Sequence, residues 1–392
     1  MLSRLKFEIT PLVNEILDRL PVSVWESDTT TFFDPAMGGG QFIKEVVARL
    51  QKYGWSDDNI STRVWGLADT PLSLNFVKHK YKIPGTFSVG GIEEMEKWIN
   101  MGKKFDVVLG NPPFQDGTKE GNGGLHKLWP KFISLGTQIT INDGFVCMVT
   151  PTSGLAPNNE TLNTFKTHHL KEMSLNVRKH FNGVGSQFSW WILQIGKKGK
   201  TNIDGTLYDI SALEYFPPNP DHFSIHLKVM LSGQYMHWEV ERDQSTNCVY
   251  TNSKPLFMSR DKTTSHLYPI FHTNNQTLWL SQEPKDFNEK KVIFTTSGYA
   301  KAHYDNGKEG TTSTSRYIKV KTDDAGNHLV GVFNSKLYQF IMQTAKWNGF
   351  VNVNVIKLLP AVDLSRSWTD TELYTHFNLT DEEIALIEST IK

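Results

Sequence analysis

The chain has 392 residues, enough for about two domains at the usual 100–200 residues each and for a full buried core. Lys+Arg and Asp+Glu both number 41, a formal net charge of +0, so affinity for a polyanion must come from a local patch rather than from overall charge. Two cysteines, Cys147 and Cys248, argue against a disulfide framework or a thiolate metal cluster, and no run reaches the roughly 18 apolar residues of a membrane span.

The N-terminal segment Met1–Glu8 lacks the apolar core and cleavage site of a secretory signal, so a soluble protein in a reducing, intracellular compartment is expected. An aromatic content of 12%, with 11 Trp, leaves rings to spare for stacking on a flat ligand. In chain order, Thr10 as N-cap and Pro11 at the first helical position open a helix carrying Leu12, Val13, Ile16 and Leu17. Thr31-Phe32-Phe33-Asp34-Pro35-Ala36-Met37-Gly38-Gly39-Gly40-Gln41-Phe42 then reads as a short strand, a glycine turn and the start of an amphipathic helix, the first unit of a doubly wound sheet. Glycines admit a ligand close to the backbone, and the following helix offers unpaired N–H groups. The carboxylate of Asp34 in that turn would repel a phosphate, so a ligand bearing an ammonium or sulfonium is favoured.

A second strand is expected at Thr62–Asp69, followed by a helix from Leu72 to Tyr81, with Asp69 the nearby candidate to meet ribose hydroxyls. A third strand, Thr86–Gly91, leads into a helix from Ile92 to Asn100. The fourth, Phe105–Gly110, runs straight into Asn111-Pro112-Pro113-Phe114. This rigid corner places an amide, carbonyl acceptors and a ring at the carboxyl edge of the sheet, where open α/β sheets bind ligands. It suits a flat substrate that brings its own N–H groups. The polar, glycine-rich residues 115–124 are expected to form a loop, a candidate mobile lid, with a helix from Leu125 to Thr137 after it. Strands are expected at Gly144–Pro151, Met173–Val177 and Phe188–Ile195, and an edge ribbon near Leu207–Ile210. Composition changes around Tyr215-Phe216-Pro217-Pro218, so residues 1–212 are taken as one domain and 213–392 as a second.

The second domain holds Lys254, Arg260, Lys262, Lys285, Lys290, Lys291, Lys301, Arg316, Lys319 and Lys321, interleaved with Phe294, Tyr299, His303, Tyr304 and Tyr317. A basic, aromatic surface of this kind suits phosphate positioning and groove contacts, and Lys254, Arg260, Lys290, Lys291, Lys301, Arg316 and Lys319 are the candidate DNA contacts. Thr380 and Glu383 carry a capping-box signature for the last helix.

Taken together, Thr10-Pro11, Asp34-Pro35-Ala36-Met37-Gly38-Gly39-Gly40-Gln41-Phe42 and Asn111-Pro112-Pro113-Phe114 resemble motifs X, I and IV of amino-methyltransferases that use S-adenosylmethionine. Their order, catalytic part first and a large extension after it, is similar to the gamma group of DNA adenine-N6 methyltransferases of restriction–modification systems and their phage relatives. The resemblance covers roughly residues 1–200. It implies a Rossmann-like doubly wound α/β sheet of the class I methyltransferase type with a C-terminal α+β target-recognition domain.

For the cofactor, the resemblance implies contacts from Thr10, Pro11, Asp34, Pro35, Ala36, Gly38, Gly40, Phe42, Asp69 and Asn111. Thr10 and Pro11 would line its methionine end, with Asp34 and Gly38 at its amino group. For catalysis it implies Asn111, Pro112, Pro113 and Phe114. The Asn111 side-chain oxygen and the Pro112 carbonyl would accept the two amine hydrogens of a flipped adenine, and Phe114 would stack on its ring. The second face falls to Phe181 or Phe188. Independently, an aromatic amine is a poor nucleophile because its lone pair is delocalised. Two fixed acceptors draw both hydrogens out of plane, and most of the rate then comes from positioning. A base inside a duplex must be flipped out to be reached.

The partner implied is double-stranded DNA, with the presence of a separate cognate restriction endonuclease left open, and with no metal and no membrane, in the cytoplasm of a bacterial or phage-infected cell. Two departures stand out. Ala68 occupies the place of the family's usual ribose-binding acid, and Gly90-Gly91 stand where an Asp commonly meets the cofactor adenine. Two other readings share the corner. One is a methyltransferase acting on RNA bases or protein glutamine, and the other is a catalytically silent nucleic-acid-binding protein of the same fold.

Overall fold

A computed structural model of the chain describes residues 10–120, 124–175, 177–180, 188–231, 237–242, 257–273, 276–296, 301–312, 314–347 and 351–391. Two compact units divide it, Met1–Tyr215 and Phe216–Lys392.

The first unit is built on one large sheet. Its strands are β1 Phe32–Asp34, β2 Val64–Ala68, β3 Thr86–Val89, β4 Phe105–Gly110, β7 Thr140–Pro151, β8 His169–Ser174, β9 Phe188–Gln194, β10 Thr201–Ile203 and β11 Thr206–Tyr208, with a separate two-stranded ribbon of β5 Gln115–Glu120 and β6 Gly124–Lys127. In space the order is β11-β10-β8-β9-β7-β4-β1-β2-β3. From β3 through β7 the pairings are parallel, β9 is inserted antiparallel between β7 and β8, β10 is parallel to β8, and the edge strand β11 is antiparallel to β10. This is the expected doubly wound α/β class, with the class I methyltransferase order. The central strands are short continuous apolar runs because crossover helices cover both of their faces. β4 accordingly buries Phe105, Val107, Val108 and Leu109.

The helices of this unit are α1 Thr10–Leu17, α2 Ser23–Glu26, α3 Gln41–Lys52, α4 Asp57–Arg63, α5 Pro71–Asn75, α6 Ile92–Asn100, α7 Trp129–Ile139 and α8 Glu160–Thr167. The i, i+3, i+4 spacing of Phe42, Ile43, Val46, Val47 and Leu50 turns one face of α3 to the sheet, where it shares a core with Leu12, Val13, Ile16 and Leu17 of α1. A second tie holds α1 to β9: the Trp190 indole N–H donates to the Glu15 carboxylate at 3.1 Å, and the His180 ring sits 2.9 Å from the same group.

Several sequence expectations shift here. Within residues 115–124, expected as a loop, Gln115–Glu120 and Gly124 belong to an antiparallel ribbon, with Gln115 opposite Lys127 and Glu120 opposite Gly124, because ladder pairing uses backbone groups and needs no apolar side chains. The helix expected from Leu125 begins at Trp129, where Pro130 sits in the first turn, the position its fixed φ and missing donor tolerate. Between Leu72 and Tyr81 the single expected helix is α5 followed by a π-helical turn, Phe76–Lys80. The strand expected at Met173–Val177 lies earlier, at β8.

The second unit contains a four-stranded sheet in the order β12-β14-β13-β17 (β12 Met258–Ser259, β13 Tyr268–Thr273, β14 Gln276–Leu280, β17 Gly310–Thr311). A three-stranded sheet in the order β16-β15-β18 (β15 Lys290–Thr295, β16 Ala302–Asn306, β18 Ser315–Lys319) lies in the same unit. Six α-helices complete its described residues, from α9 Phe223–Leu231 through α10 Asp323–Asn334, α11 Lys336–Thr344, α12 Val353–Leu358 and α13 Asp370–His376 to α14 Asp381–Thr390. The capping box opening α14 is present as expected, with Thr380 N–H donating to Glu383 at 2.9 Å and Glu383 N–H returning to the Thr380 hydroxyl at 3.3 Å. An identical device at Thr369 and Glu372 opens α13.

One expected DNA contact is overturned by this fold. Lys291 is 0% exposed, because the pleat of β15 sets it directly opposite Asp305 on β16. Its ammonium donates to the Asp305 carboxylate (2.8 Å) and to the carbonyls of Asp286 (2.6 Å) and Glu289 (3.2 Å). All three of its donors are used, so it holds the interior together and reaches no ligand. Lys291→Met should therefore destabilise the second unit by about 3–5 kcal/mol by leaving the Asp305 carboxylate buried and unpaired. Lys290→Met, which removes an exposed pair with Asp323, should cost at most about 1 kcal/mol. Urea titrations of the two variants check the contrast, and equal midpoints would refute it.

Candidate active site

Strand order in the sheet reverses between β1 and β4, and the crevice beyond the carboxyl ends of those two strands is the switch point of the fold. β1 ends on Asp34 and β4 ends on Gly110, the residue before Asn111. The two ends are in close contact. A Cβ built on Gly110 would lie 2.7 Å from Asp34 Oδ1, so only glycine lets this carboxylate occupy the crevice.

Asp34 is 2% exposed. Its Oδ1 accepts the Ala36 N–H at 3.0 Å. Burial pushes its pKa from an ordinary carboxylate value up to about 7, with the Ala36 hydrogen bond pulling weakly the other way. A buried carboxylate of this kind is a counter-charge for a cationic group. The turn after it is strapped to the neighbouring strand, with Met37 N–H donating to the Leu67 carbonyl at 2.9 Å. Gly40 has a left-handed backbone (φ 80°), and a side chain there would strike Val77 Cγ2 at 2.9 Å. Phe42 is buried beneath this turn.

On the other side of the crevice, Asn111 Oδ1 is a buried acceptor without a hydrogen-bond partner among the described residues. Buried polar atoms are nearly always paired, so an orphaned one marks a place where a donor is to arrive. Pro112 behind it is buried and Pro113 is exposed. The Phe114 carbonyl accepts the Leu128 N–H at 3.2 Å, tying the corner to the end of the ribbon. The Phe114 ring stacks on Phe188 at 5.0 Å between centroids with 27° between planes. A base inserted between two rings needs about twice the roughly 3.5 Å van der Waals spacing, so this pair is closed against insertion. Phe188, 7% exposed, backs Phe114 from the core side. Its role as a buttress was not visible in the sequence, where only its aromatic type could be read. Phe181 lies outside the described residues.

Among the other expected cofactor contacts, Asp69 is exposed just past β2, and its Oδ1 accepts from the Ser73 hydroxyl at 2.7 Å. Thr10 and Pro11 are exposed at the start of α1. Pro35 is buried, while Ala36 and Gly38 are partly buried in the turn. Asp34, the glycine turn and Asn111 thus converge on one crevice. The chemistry of this donor set fits S-adenosylmethionine, because it offers a buried anion for an ammonium and open backbone for close approach.

In the second unit, Lys290 pairs with Asp323 at 2.6 Å, and Lys319 lies 3.2 Å from Glu289 and 3.9 Å from Glu241. Arg316 donates to the Ser315 carbonyl at 2.6 Å, Arg260 and Lys301 are exposed, and Lys254 lies outside the described residues. Among the described residues, no helix is long and apolar enough to cross a membrane.

Residues 56–187 match the family model described as Eco57I restriction-modification methylase. The matched segment contains the Asn111 corner and begins after the glycine turn. A type I restriction enzyme MjaIX methylase subunit from Methanocaldococcus jannaschii is 28% identical over 109 residues, covering 27% of this chain and 19% of that protein. The chain thus spans about a fifth of that curated relative's length. A type I restriction-modification methyltransferase subunit from Streptococcus thermophilus superposes with a TM-score of 0.36 at 15% identity, over 50% of this chain and 45% of that one. A DrdV–DNA complex gives a TM-score of 0.49 at 10% identity, over 97% of this chain and 55% of that one.

Proposed function

We propose that this chain, a restriction–modification methylase segment set on a class I methyltransferase sheet, is a site-specific DNA methyltransferase acting on the N6 amino group of a flipped-out adenine, in the gamma arrangement. The observation that carries the reading is the unpartnered, buried Asn111 oxygen at the switch point, across the crevice from Asp34. When bound, S-adenosylmethionine supplies a methyl group already activated by its sulfonium.

The chain's own residues do the rest by positioning. Asp34 holds the cofactor's ammonium, with the backbone of Ala36 and Gly38 around it and Asp69 at the ribose. Asn111 Oδ1 accepts one amine hydrogen and the Pro112 carbonyl the other, while Pro113 keeps the corner stiff. With both hydrogens held, the nitrogen lone pair leaves conjugation and can be aimed. Phe114 takes one face of the base, its own back supported by Phe188. That support leaves Phe181 as the candidate for the opposite face.

The second unit serves as the target-recognition domain, with Arg260, Lys301 and Arg316 as phosphate contacts and Lys290 and Lys319 reaching DNA only by giving up their present carboxylate partners. The restriction–modification character of the matched family supports a separate cognate endonuclease as partner and a cytoplasmic location.

Methylation-sensitive sequencing of DNA from cells expressing the chain tests the reading directly. One modified adenine context is the expected result. Unmodified DNA alongside labelled RNA or protein would overturn it in favour of a different flat amine or amide.

A further inference from the structure

The second unit contains a cavity of about 580 Å³, of whose charged lining the DNA reading above uses only Arg316 and Lys319. Its size falls in the range of small-ligand sites, roughly 300–1,000 Å³, but its lining lacks the apolar character of most of them. Five cationic side chains face it: Arg242, Lys285, Arg316, Lys319 and Lys357.

The carboxylates at its rim are already engaged. Glu241 and Glu289 both face Lys319, and the Tyr317 hydroxyl donates to Glu241 at 3.3 Å. Asp286 accepts the Thr311 hydroxyl at 2.8 Å. Arg242, Lys285 and Lys357 form no ion pair among the described residues. The cavity therefore holds a net excess of unneutralised positive charge.

Its walls are also fixed in advance. Buried Lys291 pins the carbonyls of Asp286 and Glu289, and Glu241 and Tyr317 exchange backbone hydrogen bonds of 2.8 and 3.0 Å. A preformed wall spares the ordering cost of binding.

We infer that this cavity is a phosphate site, taking either a phosphodiester of a nucleic-acid backbone or the phosphates of a free nucleotide. The guanidinium fork of Arg242 and the point charges of Lys285 and Lys357 supply the donors that such groups require. The nucleic-acid branch rests on the reading of the second unit as a DNA-recognition domain, and the nucleotide branch does not.

The test uses the full chain and the triple variant Arg242→Gln/Lys285→Gln/Lys357→Gln, with Lys285→Arg/Lys357→Arg as a charge-conserving control. Two quantities are measured: binding of inorganic pyrophosphate by calorimetry, and duplex DNA affinity as a function of salt. Urea unfolding followed by circular dichroism of the full chain, with a midpoint equal to the parent's, reports that the second unit of each variant is folded. If a backbone phosphate is the ligand, the slope of log affinity against log salt should fall by about two in the triple variant. If a free nucleotide is the ligand, pyrophosphate should bind the parent and bind the triple variant at least tenfold more weakly, with the duplex slope unchanged. The arginine control should match the parent in both measurements. A triple variant indistinguishable from the parent in both would overturn the inference.

Discussion

Asn111→Ala is expected to reduce methyl transfer by about 10³-fold or more while leaving DNA affinity within a few-fold of the parent. The size follows from what the side chain does. Removing one fixed polar partner of a reacting group typically costs 10²–10³-fold, and here the same contact also orients the nucleophile. Single-turnover methylation of duplex DNA together with an equilibrium DNA-binding measurement checks both halves. Asn111→Asp keeps an acceptor oxygen in place and should retain more activity than alanine. Stability should move the other way. The Asn111 oxygen has no partner among the described residues, so deleting it removes a desolvation cost rather than a bond, and the melting temperature of Asn111→Ala should be unchanged or higher. An active site that costs stability in this way is a familiar trade. Full activity in the alanine variant would sink the proposed mechanism.

The parts of this crevice that could be read from sequence are those written in local chemistry. A strand of β-branched and aromatic residues ending in Asn-Pro-Pro-Phe, and a strand ending in Asp-Pro before three glycines, declare their turns and direction within a dozen residues. The pairing of their ends follows from the sheet order. What could not be read depends on neighbours distant in sequence. Lys291 reads as surface charge until β16 places Asp305 against it. Phe188 and Phe181 look equivalent until the ring stacking of Phe188 on Phe114 fixes one of them as a support. The ribbon of β5 and β6 has no apolar pattern to declare it because its pairing is carried by backbone, and the partnerless state of the Asn111 oxygen is a property of packing that no single residue announces.

Asp34 carries the second large effect, and its sign can be worked out. Burial raises its folded-state pKa from 3.8 to about 7, so between those values the folded, ligand-free chain holds a proton that the unfolded chain has released. Stability must then fall as pH rises through that window, by a total on the order of 4 kcal/mol. Asp34→Asn cannot lose that proton. It should flatten this part of the profile and be more stable than the parent at pH 8. Binding runs in the opposite sense. An ammonium needs the ionised carboxylate, so affinity for S-adenosylmethionine should be full above pH 7 and drop about tenfold per pH unit below it, roughly 30-fold by pH 5.5. Calorimetry near pH 6 in buffers of different ionisation enthalpy should detect a proton released on binding, and Asp34→Asn should lose the affinity, the pH dependence and the proton together. A parent affinity that stays flat from pH 5.5 to 8.5 would show that this carboxylate does not meet the cofactor's charge.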